Sequence, residues 1–315
     1  IAVPTPISPD KKADLSFVES AARSILPHLK KGNLVILEAT SPPRTTVDLV
    51  RPILEERGLR AGEDFLLAYS PERVLPGRIL YELVHNSRVI GGINPESAQA
   101  GKALYEIFVE SEIICTDATT AEVVKLLENT YRDINIAAAN EFSRLAERFQ
   151  INIWEAIEIA NHHPRVEILN PGPGVGGHCI SVDPWFFVEK APEEASLIKQ
   201  ARLINDSQPE MVLRLLEEEF IDLKGKRLAV LGLTYKPDVD DLRESPALQV
   251  VGSLVAAGAD VKAFDPYLTK GDSQLESLVD SLEEVFIDAE GLVLLVNHTQ
   301  FKNLKPGEVR ALVGD

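Results

Sequence analysis

Short apolar runs alternate with amphipathic segments over the first 116 residues and again from residue 226 onward. In the first part the runs lie at 34–37, 65–68, 88–90 and 113–115, separated by segments such as 14–29, 44–57 and 95–108. In the last part they lie at 226–233, 259–264 and 291–296. This alternation is typical of a mainly parallel sheet with helices on its faces. It predicts an α/β fold with two such sheets.

The middle of the chain is predicted to be helical. Residues 119–149 contain neither proline nor glycine, which favours one long helix. Further helices are predicted over 151–160 and, as one long element, over about 194–220. The resulting domains are expected at 1–117, 118–222 and 223–315. Since a long helix between two domains is suited to pair with its copy, we expect a homodimer.

Charge and cysteine content narrow the classes of partner and compartment. The chain has 315 residues and a net charge of -17, which disfavours nucleic acid because phosphate binding needs clustered basic residues. Its two cysteines, Cys115 and Cys179, are far apart, so no disulfide framework is expected and a reducing compartment is favoured. No apolar run approaches the length of a membrane span. We expect a cytoplasmic protein that binds neither nucleic acid nor membrane.

A glycine-rich loop leads directly into one of the cysteines. Residues 172–179 read Gly-Pro-Gly-Val-Gly-Gly-His-Cys, and Asp183 follows Cys179 by four positions. The glycines match G-x-G-x-x-G, but the interspersed prolines and the absence of a preceding strand exclude a dinucleotide fingerprint. A phosphate loop lacks its Lys-Ser/Thr pair, and a phosphatase loop lacks its arginine. A structural turn is one interpretation; a nucleophilic or redox Cys179 is the other, favoured by the residues that follow.

Several other polar residues have both a structural and a functional interpretation. Thr5, Thr40 and Glu72 follow apolar runs, where ligands bind in parallel sheets, although such residues are usually turn or cap residues. Cys115 ends an apolar run and is interpreted as buried filler. Asp183 precedes Pro184 and is expected to cap the next helix.

Basic residues occur at three further places. Lys125, Asn129 and Arg132 share one face of the long helix, where the residues alone favour a solvated surface. The pair His162 and His163 lacks a third ligand at metal-binding spacing, so no metal is expected, and His163 with Arg165 is interpreted as a donor pair for an anion. Lys236 and Arg243 lie in an acidic loop, where they either pair with neighbouring acidic residues or contact a ligand.

Taken in order, these motifs resemble the UDP-glucose/GDP-mannose dehydrogenase family over nearly the whole chain. The set consists of the loop at 172–179, Ser-Pro-Glu-Arg at 70–73, Lys125 with Asn129, and Lys236 with Arg-Glu-Ser at 243–245. The family oxidises the C6 alcohol of a nucleotide sugar to the acid with two NAD+ in succession. The resemblance implies two Rossmann-like parallel-sheet domains joined by a central all-helical dimerisation region.

The resemblance also implies roles for individual residues. Cys179 matches the nucleophile, whose thiolate adds to the intermediate aldehyde. The catalytic positions implied are Cys179, Lys125, Asn129, Asp183, Thr40 and Glu72. The UDP-sugar contacts implied are Arg73, Val74, Lys125, Asn129, Arg132, His163, Arg165, Gly176, Tyr235 and Lys236. The NAD contacts implied are Thr5, Thr40 and Arg243, and no metal is implied.

The chain departs from the family pattern in two places. Pro76 stands where members acting on UDP-glucose carry a glutamate, which puts glucose in doubt and favours a UDP-N-acetylhexosamine. The resemblance of the whole motif set implies that this sugar is UDP-N-acetyl-D-mannosamine. The amino-terminal G-x-G-x-x-G unit is absent, and Met211 is the only methionine, so the natural start is expected to precede Ile1. We therefore expect this chain to bind UDP-sugar but neither to bind NAD+ tightly nor to turn over.

Three alternatives stay open at this point. Two of them are the substrates UDP-N-acetylglucosamine and UDP-glucose, because the placement of the side chains around the sugar decides which sugar is accepted. A nucleotide-sugar-binding protein without catalysis would contain the same basic residues but would bind its ligand independently of Cys179.

Overall fold

The structure is a computed structural model that describes residues 1–74, 78–270, 275–305, 307 and 309–310. It divides into two compact units. The first unit comprises Ile1–Tyr131 with Val182–Lys199, and the second comprises Arg132–Ser181 with Gln200–Asp315. The three-part division at 118 and 223 stays a prediction. Each unit is described by itself below.

Seven strands, eleven α-helices, one π-helix (Thr46–Val50) and two short 3₁₀ helices (Leu26–His28 and Thr299–Asn303) form the regular structure of the described residues. The strands are β1 (Leu34–Leu37), β2 (Leu66–Tyr69), β3 (Arg88–Gly92), β4 (Ile113–Asp117), β5 (Arg227–Leu231), β6 (Asp260–Phe264) and β7 (Gly291–Leu294). The helices are α1 (Ser16–Ile25), α2 (Arg51–Glu55), α3 (Ile79–His85), α4 (Pro95–Tyr105), α5 (Ala118–Phe149), α6 (Ile153–Asn161), α7 (Asp183–Lys190), α8 (Ser196–Asp206), α9 (Gln208–Phe220), α10 (Pro246–Ala256) and α11 (Leu282–Phe286). The predicted strands and most predicted helices are thus confirmed.

The sheet of the first unit has the order β1-β2-β3-β4. Strands β1 and β2 are parallel, as are β3 and β4, whereas β2 and β3 are antiparallel. The first residues of the chain run beside β1 without forming a strand, since the Ile1 ammonium donates to Ile36 O at 2.6 Å. Because β1 and β2 point the same way, the residues that follow them meet at one edge of the sheet.

The sheet of the second unit is entirely parallel, with the order β6-β5-β7. Helix α10 and the partly buried side chains Val212, Leu213 and Leu216 of α9 pack against its apolar core. The central strand β5 runs into Gly232, which has φ +85° and lies against Val296. A mainly parallel sheet in the first unit and an entirely parallel one in the second, with helices between the strands in sequence, confirm the predicted fold class.

The long element predicted over 194–220 is wrong, because the structure has two helices there. Helix α8 ends at Asp206 and α9 begins at Gln208, with Ser207 between them. Pro209 has no amide hydrogen to donate to the preceding turn, and its ring disfavours helical geometry in the residue before it. The proline therefore occupies the first turn of a new helix instead of the interior of a continuous one.

Helix α5 is continuous over 32 residues, as its lack of glycine and proline predicts. Its first part, up to Tyr131, belongs to the first unit and the remainder to the second. None of the helices in the described part of the chain has both the length and the apolar character that a membrane span requires.

Candidate active site

Hydroxyl groups collect where β1 and β2 end in the first unit. Thr40 and Ser41 follow β1, and Tyr69 ends β2. The Thr5 hydroxyl donates to the carbonyl of Thr40, so two of the predicted cofactor contacts lie together. Ser41 Oγ and Tyr69 OH are buried and have no hydrogen-bond partner among the described residues. Thr5 and Thr40 therefore lie at the edge where ligands bind in parallel sheets.

Glu72 and Arg73 follow β2 and turn toward different partners. Glu72 is exposed, and its Oε1 accepts from the amides of Arg73 at 2.7 Å and Val74 at 2.8 Å. Arg73 reaches helix α5, where its Nη2 lies 2.6 Å from Glu128 Oε1. The carboxylate of Glu72 thus fixes the local backbone while α5 holds the arginine. Pro76, on which the choice of substrate depends, lies outside the described residues.

Lys125 and Asn129 are buried, so the solvated-face interpretation of these two residues is wrong. Lys125 is 8 % exposed, and no carboxylate of the described residues lies within 4 Å of its ammonium. Asn129 Nδ2 donates to Asp183 Oδ2 at 2.5 Å. Leu126, which lies between them in sequence, packs against Val182 and Phe186 and so turns this face of α5 inward. A buried ammonium without a carboxylate partner is suited to bind developing negative charge.

Asp183 does not cap helix α7, contrary to the sequence prediction. It is the first residue of the helix, Val182 occupies the cap position, and no side chain there accepts from the helix amides. The carboxylate of Asp183 accepts a hydrogen bond from Asn129 of α5.

The glycine loop of the second unit presents Cys179 beside a histidine. Cys179 is half-buried, and its Sγ lies 3.4 Å from His178 Nδ1. A neighbouring imidazole, when protonated, favours the thiolate form of a cysteine. Cys115 is also only half-buried, and its thiol faces the carbonyl of Ala98 at 3.7 Å.

Close packing against the segment after β5 holds the glycine loop. The amide of Gly177 donates to Arg243 O at 3.0 Å, and its carbonyl accepts from the Ser181 hydroxyl. A Cβ on Gly176 would lie 2.5 Å from Glu244 O, and one on Gly177 would lie 2.8 Å from the Tyr235 ring. Larger residues would therefore displace the loop, which makes it a built site as well as a turn.

Two of the basic residues after β5 have different partners. Lys236 places its ammonium 5.4 Å from the centre of the Tyr235 ring, a cation–π contact. Arg243 is exposed and pairs with Asp241, with Nη2 at 2.6 Å from Oδ2. Hydrogen bonds from Arg243 lower the pKa of Asp241. The neutralised-pair interpretation thus describes Arg243, whereas Lys236 remains available to an anionic ligand.

A buried carboxylate supports the turn that carries Tyr235 and Lys236. Asp265 Oδ2 accepts from the amides of Leu233 at 2.7 Å and Thr234 at 3.1 Å. It also accepts from the ring of His298, at 3.0 Å. Burial raises the pKa of Asp265, but these hydrogen bonds outweigh burial, so its pKa lies below the ordinary value. The turn is therefore fixed by a charge at the end of β6.

The remaining candidates lie on the surface of the second unit. Arg132, His163 and Arg165 are exposed, and the amide of Arg165 donates to His163 Nδ1 at 3.3 Å. Within the described part of the chain, no three His, Cys, Asp or Glu side chains group as metal ligands would.

Three partners of the site were not found from sequence. They are Glu128, Asp241 and Ser181, which bind Arg73, Arg243 and Gly177 respectively. Asp241 has a sequence signal, since it lies two positions before Arg243 in an acidic loop. Glu128 has none, because 55 residues separate it from Arg73.

Comparison with known proteins gives matches to one protein family along most of the chain. Three models of the UDP-glucose/GDP-mannose dehydrogenase family match: the NAD binding domain over residues 1–109, the central domain over 119–207 and the UDP binding domain over 229–315. These matches support the predicted NAD cofactor, because the first model is an NAD-binding domain.

Individual relatives match nearly the whole chain. UDP-N-acetyl-D-mannosamine dehydrogenase of Methanocaldococcus jannaschii is 49% identical over 98% of this chain and 70% of its own length. NDP-N-acetyl-D-galactosaminuronic acid dehydrogenase of Ralstonia solanacearum is 45% identical over 99% and 76%. The solved structure of UDP-D-ManNAc dehydrogenase from Pyrococcus horikoshii has 43% identity and a TM-score of 0.90, over 99% of this chain and 74% of that chain. The chain therefore belongs to the UDP-glucose/GDP-mannose dehydrogenase family, whose members are NAD-dependent nucleotide-sugar dehydrogenases.

Proposed function

We propose that the protein oxidises the C6 alcohol of UDP-N-acetyl-D-mannosamine to the uronate in two NAD-dependent steps. The observation that carries the proposal is the packing of Gly176 and Gly177 against Tyr235 and the backbone of residues 243–244, which joins the Cys179 loop to the proposed UDP-sugar segment. Relatives of 46% to 49% identity that bear this substrate in their names support the choice of sugar.

The hydroxyl groups at the ends of β1 and β2 fit the cofactor. Thr5 and Thr40, which are hydrogen-bonded to each other there, would contact it. Arg243 is proposed as an additional contact, for which it would exchange its pairing with Asp241. NAD+ supplies the hydride acceptor for both oxidations.

Cys179 is proposed as the nucleophile toward the aldehyde formed by the first oxidation. Its thiolate forms a bond to C6, and the electron pair of the carbonyl moves onto oxygen, giving a thiohemiacetal after protonation. Loss of the remaining hydride from C6, together with the hydroxyl proton, gives a thioester. Attack by water then breaks the carbon–sulfur bond, which releases the carboxylate and regenerates the thiolate. His178, 3.4 Å from the sulfur, is placed to favour that thiolate.

Lys125 and Asn129 are proposed to stabilise the oxyanion in these additions. Both are buried, and the contact between Asn129 and Asp183 fixes the orientation of the amide. Asp183, together with Thr40 and Glu72, is proposed to organise the attacking water. The proposed UDP-sugar contacts are Arg73, Val74, Arg132, His163, Arg165, Gly176, Tyr235 and Lys236.

Lys125→Ala is expected to lower kcat roughly a hundredfold, as loss of one oxyanion donor typically does. Steady-state kinetics would measure it, with Lys199→Ala, which removes an exposed lysine of α8, as the matched control. An effect confined to KM for the UDP-sugar would instead make Lys125 a binding residue.

A second sugar is supported by a specific observation. Relatives named NDP-N-acetyl-D-galactosaminuronic acid dehydrogenase are 45% to 46% identical over 99% of this chain, close to the identity of the mannosamine group. Product analysis with UDP-N-acetylmannosamine, UDP-N-acetylgalactosamine, UDP-N-acetylglucosamine and UDP-glucose would separate these candidates. Preferential oxidation of UDP-glucose would contradict the assignment to an N-acetylhexosamine.

Exposed apolar side chains of the central helices support the proposed homodimer. Phe142, Leu145 and Phe149 are exposed on one stripe of α5, and Trp154 and Ile159 are exposed on α6. Sedimentation is expected to show a dimer at micromolar concentration, and Leu145→Glu to dissociate it, whereas the neighbouring Glu147→Gln leaves it intact. A monomeric unaltered protein would contradict this proposal.

A further inference from the structure

Two buried amide side chains hold the entry to the glycine loop. Asn140 Oδ1 of α5 accepts from the amide of Gly172 at 2.9 Å. Gln208 Nε2, from the first residue of α9, donates to the carbonyl of Gly172 at 2.9 Å. Asn140 is 0% and Gln208 4% exposed. Because Pro171 and Pro173 have no amide hydrogen, Gly172 offers the one backbone donor among these three residues, and it is used.

A carboxylate sets the orientation of Asn140. Asn140 Nδ2 donates to Asn205 Oδ1 at 2.8 Å, and Asn205 Nδ2 donates to Asp133 Oδ1 at 2.8 Å. An ionised carboxylate accepts hydrogen bonds but cannot donate them. Asn205 must therefore turn its nitrogen toward Asp133 and its oxygen toward Asn140. Asn140 in turn presents its oxygen to Gly172.

A guanidinium sets the orientation of Gln208 in the opposite sense. Arg144 Nε donates to Gln208 Oε1 at 2.8 Å. A guanidinium has donors alone, so the amide oxygen of Gln208 faces Arg144 and its nitrogen faces the Gly172 carbonyl. The hydrogen-bond relay through Asn205 and Asn140 thus ends on the negative charge of Asp133, and the relay through Gln208 ends on the positive charge of Arg144. Together the two relays present one acceptor and one donor to the backbone of Gly172.

We propose that Asn140 and Gln208 are positioning residues for Cys179. They fix the loop at Gly172, and the contact from Gly177 to Arg243 O fixes it at the other end. Between these anchors Gly174 has φ +136°, and a Cβ there would lie 3.2 Å from Asn205 O, so the same relay also borders the middle of the loop.

The inference rests on the proposed role of Cys179 as nucleophile. A thiol must lie close to the attacked carbon and in line with it, and small displacements cost large factors in rate. Loss of either anchor would loosen the loop and affect the bond-forming steps more than ligand binding. A purely structural role of the two amides would lower the melting temperature without a larger effect on the bond-forming steps than on ligand binding.

Gln208→Glu tests the inference with almost no change of shape. The new carboxylate keeps the pairing with Arg144 but turns an acceptor, in place of a donor, toward the Gly172 carbonyl. We expect kcat to fall about tenfold while KM for NAD+ changes less than about twofold. Alkylation of Cys179 by iodoacetamide, followed by mass spectrometry, is expected to accelerate at least about threefold as the loop opens.

Cys115 is the internal control, because its alkylation is read in the same sample and it lies in the other unit. Ser207→Ala is the matched variant. It removes another acceptor of Arg144, at 2.9 Å, without touching Gly172, and is expected to leave both readouts unchanged. Asn140→Asp is the second test, since it keeps an acceptor for Gly172 but loses the donor to Asn205.

The outcomes separate the inference from the proposed function. Faster alkylation of Cys179 alone, with reduced kcat, in Gln208→Glu or Asn140→Asp supports it. Unchanged alkylation and kcat in both folded variants, or equal acceleration at Cys115, overturns it. If the unaltered protein oxidises no UDP-sugar, the proposed function fails, while the alkylation rates still decide whether the two amides hold the loop.

Discussion

Cys179→Ala is expected to abolish uronate release while UDP-sugar affinity stays within about 1 kcal/mol of the unaltered protein. The side chain of a cysteine contributes little to binding, whereas without the thiolate the aldehyde has no covalent route to the thioester. The loss of acid production should reach roughly a thousandfold or more, since removing a nucleophile generally costs that much. Calorimetric titration with the UDP-sugar and chromatographic assay of the acid would measure the two quantities separately.

Cys115→Ala is the control for this experiment, because its thiol contacts the carbonyl of Ala98 and lies outside the proposed chemistry. Undiminished acid production by Cys179→Ala would overturn the thioester route. A binding protein without catalysis predicts another result: the UDP-sugar would bind the unaltered protein and both variants alike, none would form the acid, and substrate would not protect Cys179 from alkylation.

Arg202→Met is expected to destabilise the second unit by about 3–5 kcal/mol, the usual consequence of leaving one buried charge without its partner. Arg202 is 1% exposed, and its Nη1 lies 2.5 Å from Oδ1 of Asp133, which is 0% exposed. Urea unfolding would measure the loss. Asp206→Asn is the control, because Asp206 pairs with the same arginine at a partly exposed position and should cost less than about 1 kcal/mol.

The loss of stability in Arg202→Met should become smaller as the pH falls. Burial raises the pKa of Asp133 even with Arg202 beside it, and removal of the arginine raises it further. The folded variant then binds a proton at higher pH than the unfolded chain does, so its destabilisation should shrink as the pH falls. A loss that is equal at pH 5 and pH 7.5 would contradict this assignment of the cost to an unpaired carboxylate.

Sequence patterns predict the elements of this fold better than the contacts within its site. The strands follow from apolar runs, since each run is long enough to cross a sheet and is bounded by polar residues. The spacing of Lys125 and Asn129 shows that they share a helix face but not that the face is buried, because Leu126 and Phe186 decide that through packing. The partnership of Asn129 with Asp183 spans 54 residues and leaves no local pattern.

The break between α8 and α9 does not follow from the sequence, for a related reason. Apolar periodicity continues across Ser207, and Pro209 is compatible both with a kinked helix and with the start of a new one. Likewise, the glycine loop shows that the backbone needs freedom near Cys179, but the contacts of Gly176 with Glu244 and Tyr235 arise from tertiary structure.

The junction between α8 and α9 also limits how the chain can change in length. Helix ends usually tolerate insertions and deletions. Here Arg202 and Asn205 fix the register of α8 against Asp133, while Val212 and Leu216 fix α9 against the core. One residue inserted at position 207 would turn one register relative to the other by about 100° and carry Gln208 away from Gly172. Homologous chains that use this arrangement should therefore have a junction of constant length, even where neighbouring loops vary.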